Sequence, residues 1–150
     1  MKSVESKRAQ ALCSINGYKL VTINDAAEDA FLASHVQSLE VSGNYGYWWM
    51  GLNDLAIEGS FIWDGPASSY TNWKPGQPDD FWGEDCGAAR YGYPEGGGPF
   101  GVQWEDYYCP MTLPFICERD PAPTGNRGSF SYSATNTGSA TSGTTNQSPS

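Results

Sequence analysis

Residues 73–86 read WKPGQPDDFWGEDC, and this is the most informative segment of the chain because it carries four acidic and three aromatic residues. Its Gly and Pro residues interrupt helices and strands, so the segment is predicted to be a loop. A disordered acidic segment would contain few aromatic residues, whereas this one is rich in them. We therefore interpret its carboxylates as ligands for a cation, with a solvated acidic surface as the alternative.

The acidic character extends to both sides of this loop. Residues 54–106 carry ten acidic and two basic residues, in a chain of 150 residues with a net charge of −9, and all six Trp lie between residues 48 and 104. Nucleic acid is excluded as a partner, because phosphate binding requires clustered Lys and Arg. The length predicts one domain with a substantial core. No apolar run approaches the roughly 20 residues that span a bilayer, and no signal peptide is visible.

The residues before the acidic region predict two helices separated by a strand. The first helix is expected over residues 2–16, with apolar positions Val4, Ala11, Leu12 and Ile15 and an end at Gly17. Residues 18–23 alternate in polarity and are rich in β-branched side chains, which is typical of a strand. A capping box at Asp25 and Glu28 predicts the start of the second helix. Its apolar face comprises Ala27, Phe31, Leu32, Val36 and Leu39, and the single His, His35, lies beside that face in a structural role.

After the helices, short β-type runs alternate with loops that are rich in Gly, Pro and Asp. The runs are 47–52, 61–63, 102–104 and 113–117. This order predicts an α+β domain in which the long loop over residues 66–85 is functional and held by something other than a β-ladder, such as a bound metal. From about residue 120 the chain has few apolar residues. We therefore expect a domain over residues 1–119 and a disordered tail or linker over residues 120–150.

The four cysteines allow three pairings, and an even number in a small domain favours disulfides and an oxidising compartment. We favour Cys13–Cys117, which would join the first helix to the last strand, together with Cys86–Cys109, which would close the loop region. Four reduced, buried thiols are the alternative. A zinc site is disfavoured because the chain has no CxxC motif.

A series of short motifs then suggests a family. The motifs are WMGL (49–52), ND with EG (53–54, 58–59), FIW (61–63), YTNW (70–73), QPD (77–79), GEDC (83–86), WED (104–106) followed by Cys109, and FICE (115–118). In this order they resemble the C-type lectin-like domains over residues 4–118. The resemblance implies two helices, two small antiparallel sheets, a long calcium-binding loop and the cysteine pairing favoured above.

Relative to that family, the chain begins at the first helix. The family's first strand and a secretion signal are therefore expected to be missing, as in a fragment or a chain with a misplaced start. Because that strand normally pairs with the last one, residues 112–118 are expected to form an exposed sheet edge.

The resemblance also implies the metal ligands, and the chemistry agrees, because calcium takes six to eight oxygen ligands and the loop offers mainly oxygens. By position, the sugar-binding calcium site comprises Gln77, Asp79, Glu84, Glu105 and Asp106. The accessory calcium site comprises Asp54, Glu58, Asp80, Glu84 and Asp85. One or two Ca²⁺ ions are expected, Pro78 is expected to be cis, and the loop is expected to be loose without calcium.

The same resemblance implies carbohydrate binding. Vicinal sugar hydroxyls would fill the remaining calcium positions, while carboxylates accept their protons and side-chain amides donate to them. Gln-Pro-Asp is the family's galactose-type order, and Phe81 occupies the usual position for stacking on the sugar, with Trp82 beside it. Packing within the loop is the alternative for these two aromatics. Glu105 departs from the family pattern, because an Asn is usual there and its loss removes an amide donor.

Two functions from different classes remain. The first is calcium-dependent binding of glycans or glycoproteins, with terminal galactose as the expected sugar; the second is a protein-binding module in which calcium is only structural. An enzyme is not expected, because no Ser/His/Asp set exists and calcium activates water poorly. The domain is expected to be extracellular or secreted, and to be part of a larger or multivalent protein because single-site lectins bind weakly.

Overall fold

The computed structural model describes residues 3–36, 46–91, 103–119, 129–136 and 139–146. Its elements in chain order are α1 (Ser6–Ile15), β1 (Tyr18–Leu20), α2 (Ala26–Val36), β2 (Tyr47–Asn53), β3 (Ile62–Trp63), β4 (Cys86–Arg90), β5 (Gln103–Tyr107), β6 (Phe115–Arg119), β7 (Ser129–Asn136) and β8 (Ser139–Asn146). The predicted α+β class is therefore confirmed. In the described part of the chain, neither helix has the length and apolar content that crossing a membrane would require.

Helix α1 is shorter than predicted, and a different face of it is buried. Its buried residues are Ser6, Ala9 and Cys13, whereas Ile15 is 77% exposed. Of the predicted apolar set, Val4 is buried just before the helix and Leu12 packs against the core, whereas Ile15 is exposed because the pairing of Cys13 turns another side of the helix towards the sheet. Gly17 follows the helix with a positive φ of 74°, which is the usual way of ending a helix with glycine.

Helix α2 begins with the predicted cap. The Glu28 N–H donates to Asp25 Oδ1 at 2.8 Å, as in a capping box. The Glu28 carboxylate also accepts from the Asn24 N–H at 2.7 Å. Leu32 and Val36 are buried as predicted, Ala27 is exposed, His35 lies on the exposed side, and Leu39 is outside the described residues.

The strands form one continuous sheet in the order β5-β4-β2-β6-β7-β8, with β1 paired to β6 and β3 paired to β2. The expectation of two separate antiparallel sheets is corrected in this respect. Strands β2 and β6 meet in parallel at the pair Trp49 and Phe115, and this contact joins what would otherwise be two antiparallel sets. Strand β4 was not predicted, because its Gly and Ala residues have low β-propensity. Glycine is needed at position 87 because a Cβ there would lie 2.9 Å from the Leu52 Cβ.

Strand β6 does not form the exposed edge that was expected. Strand β1 pairs with its residues 117–119, and β7 pairs antiparallel with its residues 115–118. Strand β8 pairs with β7 and continues the sheet beyond it. The physical reason is that an open strand edge offers unpaired backbone groups to any nearby segment. Before α1, the described residues contribute one isolated bridge, between Val4 and Leu113.

Alternation along β2 divides the core between the two faces of the sheet, because successive strand residues point to opposite sides. Trp48 packs with Leu32 of α2 in one buried cluster, whereas Trp49 packs with Ala9 of α1 in the other. Both predicted disulfides are present, Cys13–Cys117 and Cys86–Cys109, and no free cysteine remains. The first ties α1 to β6, and the second joins β4 to the residues that follow β5.

Candidate metal centre

The long loop between β3 and β4 is fastened to the edge strand β5. Trp73 and Trp104 form an isolated parallel bridge. In this bridge the Trp104 N–H donates to the Asn72 carbonyl at 2.8 Å, and the Lys74 N–H donates to the Trp104 carbonyl at 2.9 Å. The loop residues that follow Lys74 are therefore brought beside the residues that follow Trp104.

A buried carboxylate on α2 stabilises the attachment of the loop to β5. Asp29 of α2 is 1% exposed and accepts hydrogen bonds from Tyr91 Oη at 2.8 Å, Asn72 Nδ2 at 3.0 Å, Trp104 Nε1 at 3.1 Å and Tyr70 Oη at 3.3 Å. Burial raises the pKa of Asp29, and the four hydrogen bonds oppose that rise. One side chain thus joins α2, the end of β4, the loop and β5.

Three carboxylates converge where the loop meets β5, and we call them the loop cluster. Asp79, Glu84 and Asp106 each offer one oxygen, and these oxygens lie within 4.8 Å of one another. Asp106 is buried, and its Oδ2 accepts from the backbone N–H of Asp79 at 3.0 Å and of Asp80 at 2.7 Å. The Gln77–Pro78 peptide is cis, as expected. The cluster is therefore assembled by contacts between the loop backbone and β5.

Gln77 adds an amide to the loop cluster. Its Nε2 donates to Asp79 Oδ2 at 3.0 Å. Its Oε1 is buried and has no hydrogen-bond partner. A buried carbonyl oxygen without a partner is costly, so an atom of this kind beside three carboxylates fits a cation ligand.

A second group of three carboxylates, which we call the flank cluster, lies where β2 ends. It consists of Asp54, Glu58 and Asp85, with one oxygen from each within 4.8 Å of the others. Asp54 is 2% exposed, and its Oδ2 accepts from the Gly59 N–H at 2.8 Å. Its Oδ1 is buried and has no partner. The flank cluster thus repeats the combination of acidic oxygens with one orphaned buried oxygen.

Charges within each cluster act on one another, and Asp80 contributes to both clusters. Desolvation, followed by the charges of Asp106, Asp79, Glu105 and Asp80, raises the pKa of Glu84 from 4.5 to about 7. Desolvation, followed by the charges of Asp80, Asp54 and Asp85, also raises the pKa of the exposed Glu58. Desolvation, followed by the charges of Asp54 and Asp80, raises the pKa of Asp85. A cation would relieve this repulsion, because it stabilises the ionised forms.

Two of the residues that were predicted as ligands lie outside both clusters. Asp80 lies between them with a positive φ of 49°, and its Oδ1 accepts from the Glu84 N–H at 3.1 Å. Glu105 is held by two other side chains: its Oε1 accepts from Tyr47 Oη at 2.7 Å and from Lys74 Nζ at 2.9 Å. Burial, and then the hydrogen bond and charge of Glu105, raise the pKa of Tyr47, so its hydroxyl remains a donor.

The aromatics beside the loop cluster are accessible. Phe81 is 63% exposed and Trp82 is 82% exposed, and their rings meet edge to face with centroids 5.5 Å apart. Such exposure argues against the alternative that both rings only pack the loop. Flat apolar faces in this position are suited to stacking on another flat apolar surface.

Sequence reasoning missed three residues that shape this region. Asp29 lies on the buried stripe of α2 with Leu32, Ala33 and Val36, at spacings of three, four and seven residues. A carboxylate on a buried stripe signals a polar contact in the core, and that signal was present in the sequence. Tyr47 and Lys74 gave no such signal, because their shared contact with Glu105 depends on tertiary structure.

The sequence matches the family described as "Lectin C-type domain" over residues 2–119. Because the match covers most of the chain, this protein belongs to the C-type lectin domain family. Members of this family are binding proteins rather than enzymes, and membership supports carbohydrate binding in general. Domains of the family commonly bind Ca²⁺, and the two clusters are groups that could hold a metal ion.

Individual relatives support this family membership. The chain is 34% identical over 128 residues to "Perlucin" from Haliotis laevigata, covering 83% of this chain and 77% of the relative. It is 36% identical over 100 residues to "Alpha-N-acetylgalactosamine-specific lectin" from Patiria pectinifera, covering 66% of this chain and 56% of the relative. The solved carbohydrate-recognition domain of the mouse scavenger receptor C-type lectin superposes with a TM-score of 0.64 at 30% identity, covering 81% of this chain and 86% of that one.

Proposed function

We propose that this domain binds glycans with terminal galactose-type sugars, and that it does so only when calcium is present. The observation that carries the proposal is the loop cluster, in which Asp79, Glu84 and Asp106 converge beside the orphaned oxygen of Gln77. All of these donors are oxygens, which is the ligand type that calcium prefers. The exposed rings of Phe81 and Trp82 border the same loop.

Each residue of the loop cluster has a definite task in this proposal. Asp106 holds the loop backbone in place through the N–H groups of Asp79 and Asp80. Asp79 and Glu84 supply negative oxygens that accept hydroxyl protons, and Gln77 is the amide that donates to a sugar oxygen. A bound calcium ion would supply open positions for two neighbouring sugar hydroxyls. Asp54, Glu58 and Asp85 form the flank cluster, which we propose as an accessory calcium site.

The preference for galactose-type sugars rests on the order of amide and acid together with the aromatic pair. Gln77 precedes Asp79, which is the family's galactose-type order. Galactose has an apolar face on which a ring stacks, and Trp82 is the most exposed of the large apolar side chains in the described residues. The relative from Patiria pectinifera is named for specificity towards N-acetylgalactosamine, a sugar of this type.

A protein-binding role, with calcium shaping the loop only, is the second candidate. It is favoured by Glu105, because the residue expected to supply a further amide is a carboxylate held by Lys74 and Tyr47. Of the two positions expected to supply an amide donor to the sugar, Gln77 is then the one that does. Binding to a partner that free galactose does not displace would favour this second function.

We further propose that the domain works outside the cell or in another oxidising compartment, because both disulfides need such conditions to persist. A weak single site would also favour presentation of several copies. Glycoproteins that carry several terminal sugars are then the partners that such an arrangement would retain best.

The test is a glycan array and galactose-resin binding with the wild-type chain, in calcium and in EDTA. Asp79→Ala is expected to abolish retention on the resin, because it removes an oxygen from the loop cluster. Glu5→Ala is the matched control, since it removes one exposed carboxylate that makes no side-chain cap contact in α1. Retention of Asp79→Ala at the wild-type level, or wild-type retention that persists in EDTA, would show that the proposed site is wrong.

A further inference from the structure

Glu105 is the residue at which this chain departs most from the expected ligand set. It lies in β5 next to Asp106, and only Asp106 of the two has an oxygen in the loop cluster. Consecutive strand residues point to opposite sides of a sheet, so Glu105 lies apart from the three converging oxygens, although its charge still contributes to the raised pKa of Glu84. The environment of Glu105 must therefore be considered separately from that of the cluster.

Two donors converge on one oxygen of Glu105. Tyr47 Oη at 2.7 Å and Lys74 Nζ at 2.9 Å both bond to Oε1. The side chain of Glu105 is 13% exposed and Tyr47 is 8% exposed, so the hydrogen bond between them is largely shielded from water, whereas Lys74 is 45% exposed and its ion pair with Glu105 is open to solvent. Hydrogen bonds to an ionised group are the stronger ones, particularly where water is excluded.

Both donors are themselves held in place. The Tyr47 ring packs on Tyr107 with centroids 4.9 Å apart, and the Arg90 guanidinium lies 5.6 Å from its centroid. The Lys74 backbone N–H bonds to Trp104, and its carbonyl accepts from the Gln77 N–H at 2.8 Å. The contact with Glu105 thus joins β2 and β5 to the turn that carries Gln77.

We infer that Tyr47 and Lys74 withdraw Glu105 from calcium coordination and thereby lower the calcium affinity of the loop cluster. This inference rests on the proposed function, because it concerns the same calcium ion. Calcium affinity is tuned by the number of charged ligands. While Lys74 neutralises Glu105 and Tyr47 fixes it, the calcium ion has one carboxylate ligand fewer. Releasing Glu105 would add that ligand.

Isothermal titration with CaCl₂ tests this inference through the variants Tyr47→Phe and Lys74→Met. Tyr47→Phe is the cleaner change, because it removes the hydroxyl donor, keeps the ring and alters no charge. It is expected to tighten calcium binding by roughly threefold to tenfold, which is the order of the net contribution of one ordinary hydrogen bond. Lys74→Met is expected to act in the same direction, and it keeps the test valid if the first variant folds poorly.

Two controls separate the release of Glu105 from a simple change of charge. Lys7→Met removes an exposed lysine from α1 and reports the long-range effect of one lost positive charge. In a Glu105→Gln background, Tyr47→Phe is expected to leave the calcium affinity unchanged, and Lys74→Met to change it no more than a charge effect would. Glu105→Gln alone is expected to alter the calcium affinity by less than Asp79→Ala does.

Each result has a definite meaning. Weaker or unchanged calcium binding by Tyr47→Phe would overturn the inference, because Glu105 would then be either a ligand held ready by Tyr47 or a bystander. If the wild-type chain binds calcium and Asp79→Ala does not, the proposed function stands even when this inference fails. No heat from the wild-type chain would overturn both. In EGTA, Tyr47→Phe is expected to unfold at a lower temperature than wild type, because it loses the contact without gaining a ligand.

Discussion

The pKa of Glu84 predicts that calcium binding depends on pH in the neutral range. Its pKa lies at about 7 in the folded protein, raised from 4.5 by desolvation first and then by the charges of Asp106, Asp79, Glu105 and Asp80. Calcium requires the ionised carboxylate, so bound ion and bound proton compete. Lowering the pH from about 8 to about 6 is the perturbation that tests this.

The expected magnitude follows from the ionised fraction of Glu84. With a pKa of about 7, roughly nine-tenths of the side chain is ionised at about pH 8 and roughly one-tenth at about pH 6. The apparent calcium affinity of the loop cluster is therefore expected to fall about tenfold across this interval. In the calcium-free protein the effect on stability has the opposite sign. Between pH 4.5 and about 7 the folded form holds a proton that the unfolded form has lost, so folding stability falls as the pH rises through that window.

The assay is isothermal titration with CaCl₂ at both pH values and at constant ionic strength, because salt screens the contributing charges. Glu84→Gln is the control: it should bind calcium more weakly than wild type and show little change over the same interval. Equal wild-type affinity at the two pH values would refute the reasoning, since Glu84 would then be ionised throughout. An unaltered pH dependence in Glu84→Gln would assign the effect to another group.

Two further predictions concern stability. Asp29→Asn is expected to lower the free energy of unfolding by about 2–4 kcal/mol in urea titrations, because the amide group adds hydrogen-bond donors to a site that already contains four donors. A variant as stable as wild type would contradict the proposal that Asp29 supports the loop. Replacing both Cys86 and Cys109 by Ala is expected to cost about 3 kcal/mol, since the bridge closes a loop over a sequence separation of 23. An unchanged urea midpoint for the double variant would show that the unfolded chain is not restricted by this bridge.

The features that sequence alone predicted are those encoded locally or by motif order. The cap at Asp25 and Glu28, strand β2 and both cysteine pairs are present as predicted. Strand β4 escaped detection because its small residues carry a weak strand signal, and the close approach of Leu52 explains the glycine at position 87. Packing between strands therefore decided what local propensity could not.

The sequence predicted which residues contribute to the site better than it predicted which of them lie together. Position in the family placed Glu105 with Asp106, but the structure joins Glu105 to Tyr47, which is 58 residues away in sequence. Asp29 likewise meets Trp104 over a separation of 75 residues. No periodicity or spacing in the chain encodes such contacts, because they arise only when the strands pair and the loop folds against them.

One consequence follows from the way the two clusters share the chain. Glu84 and Asp85 are neighbours in sequence, yet Glu84 belongs to the loop cluster and Asp85 to the flank cluster. A single peptide unit therefore serves both proposed calcium sites, and if both bind calcium, immobilising it at one site would lessen the entropy that must be lost at the other. Occupancy of the pair would then rise more steeply with calcium concentration than independent sites would allow, up to the limit that two coupled sites set.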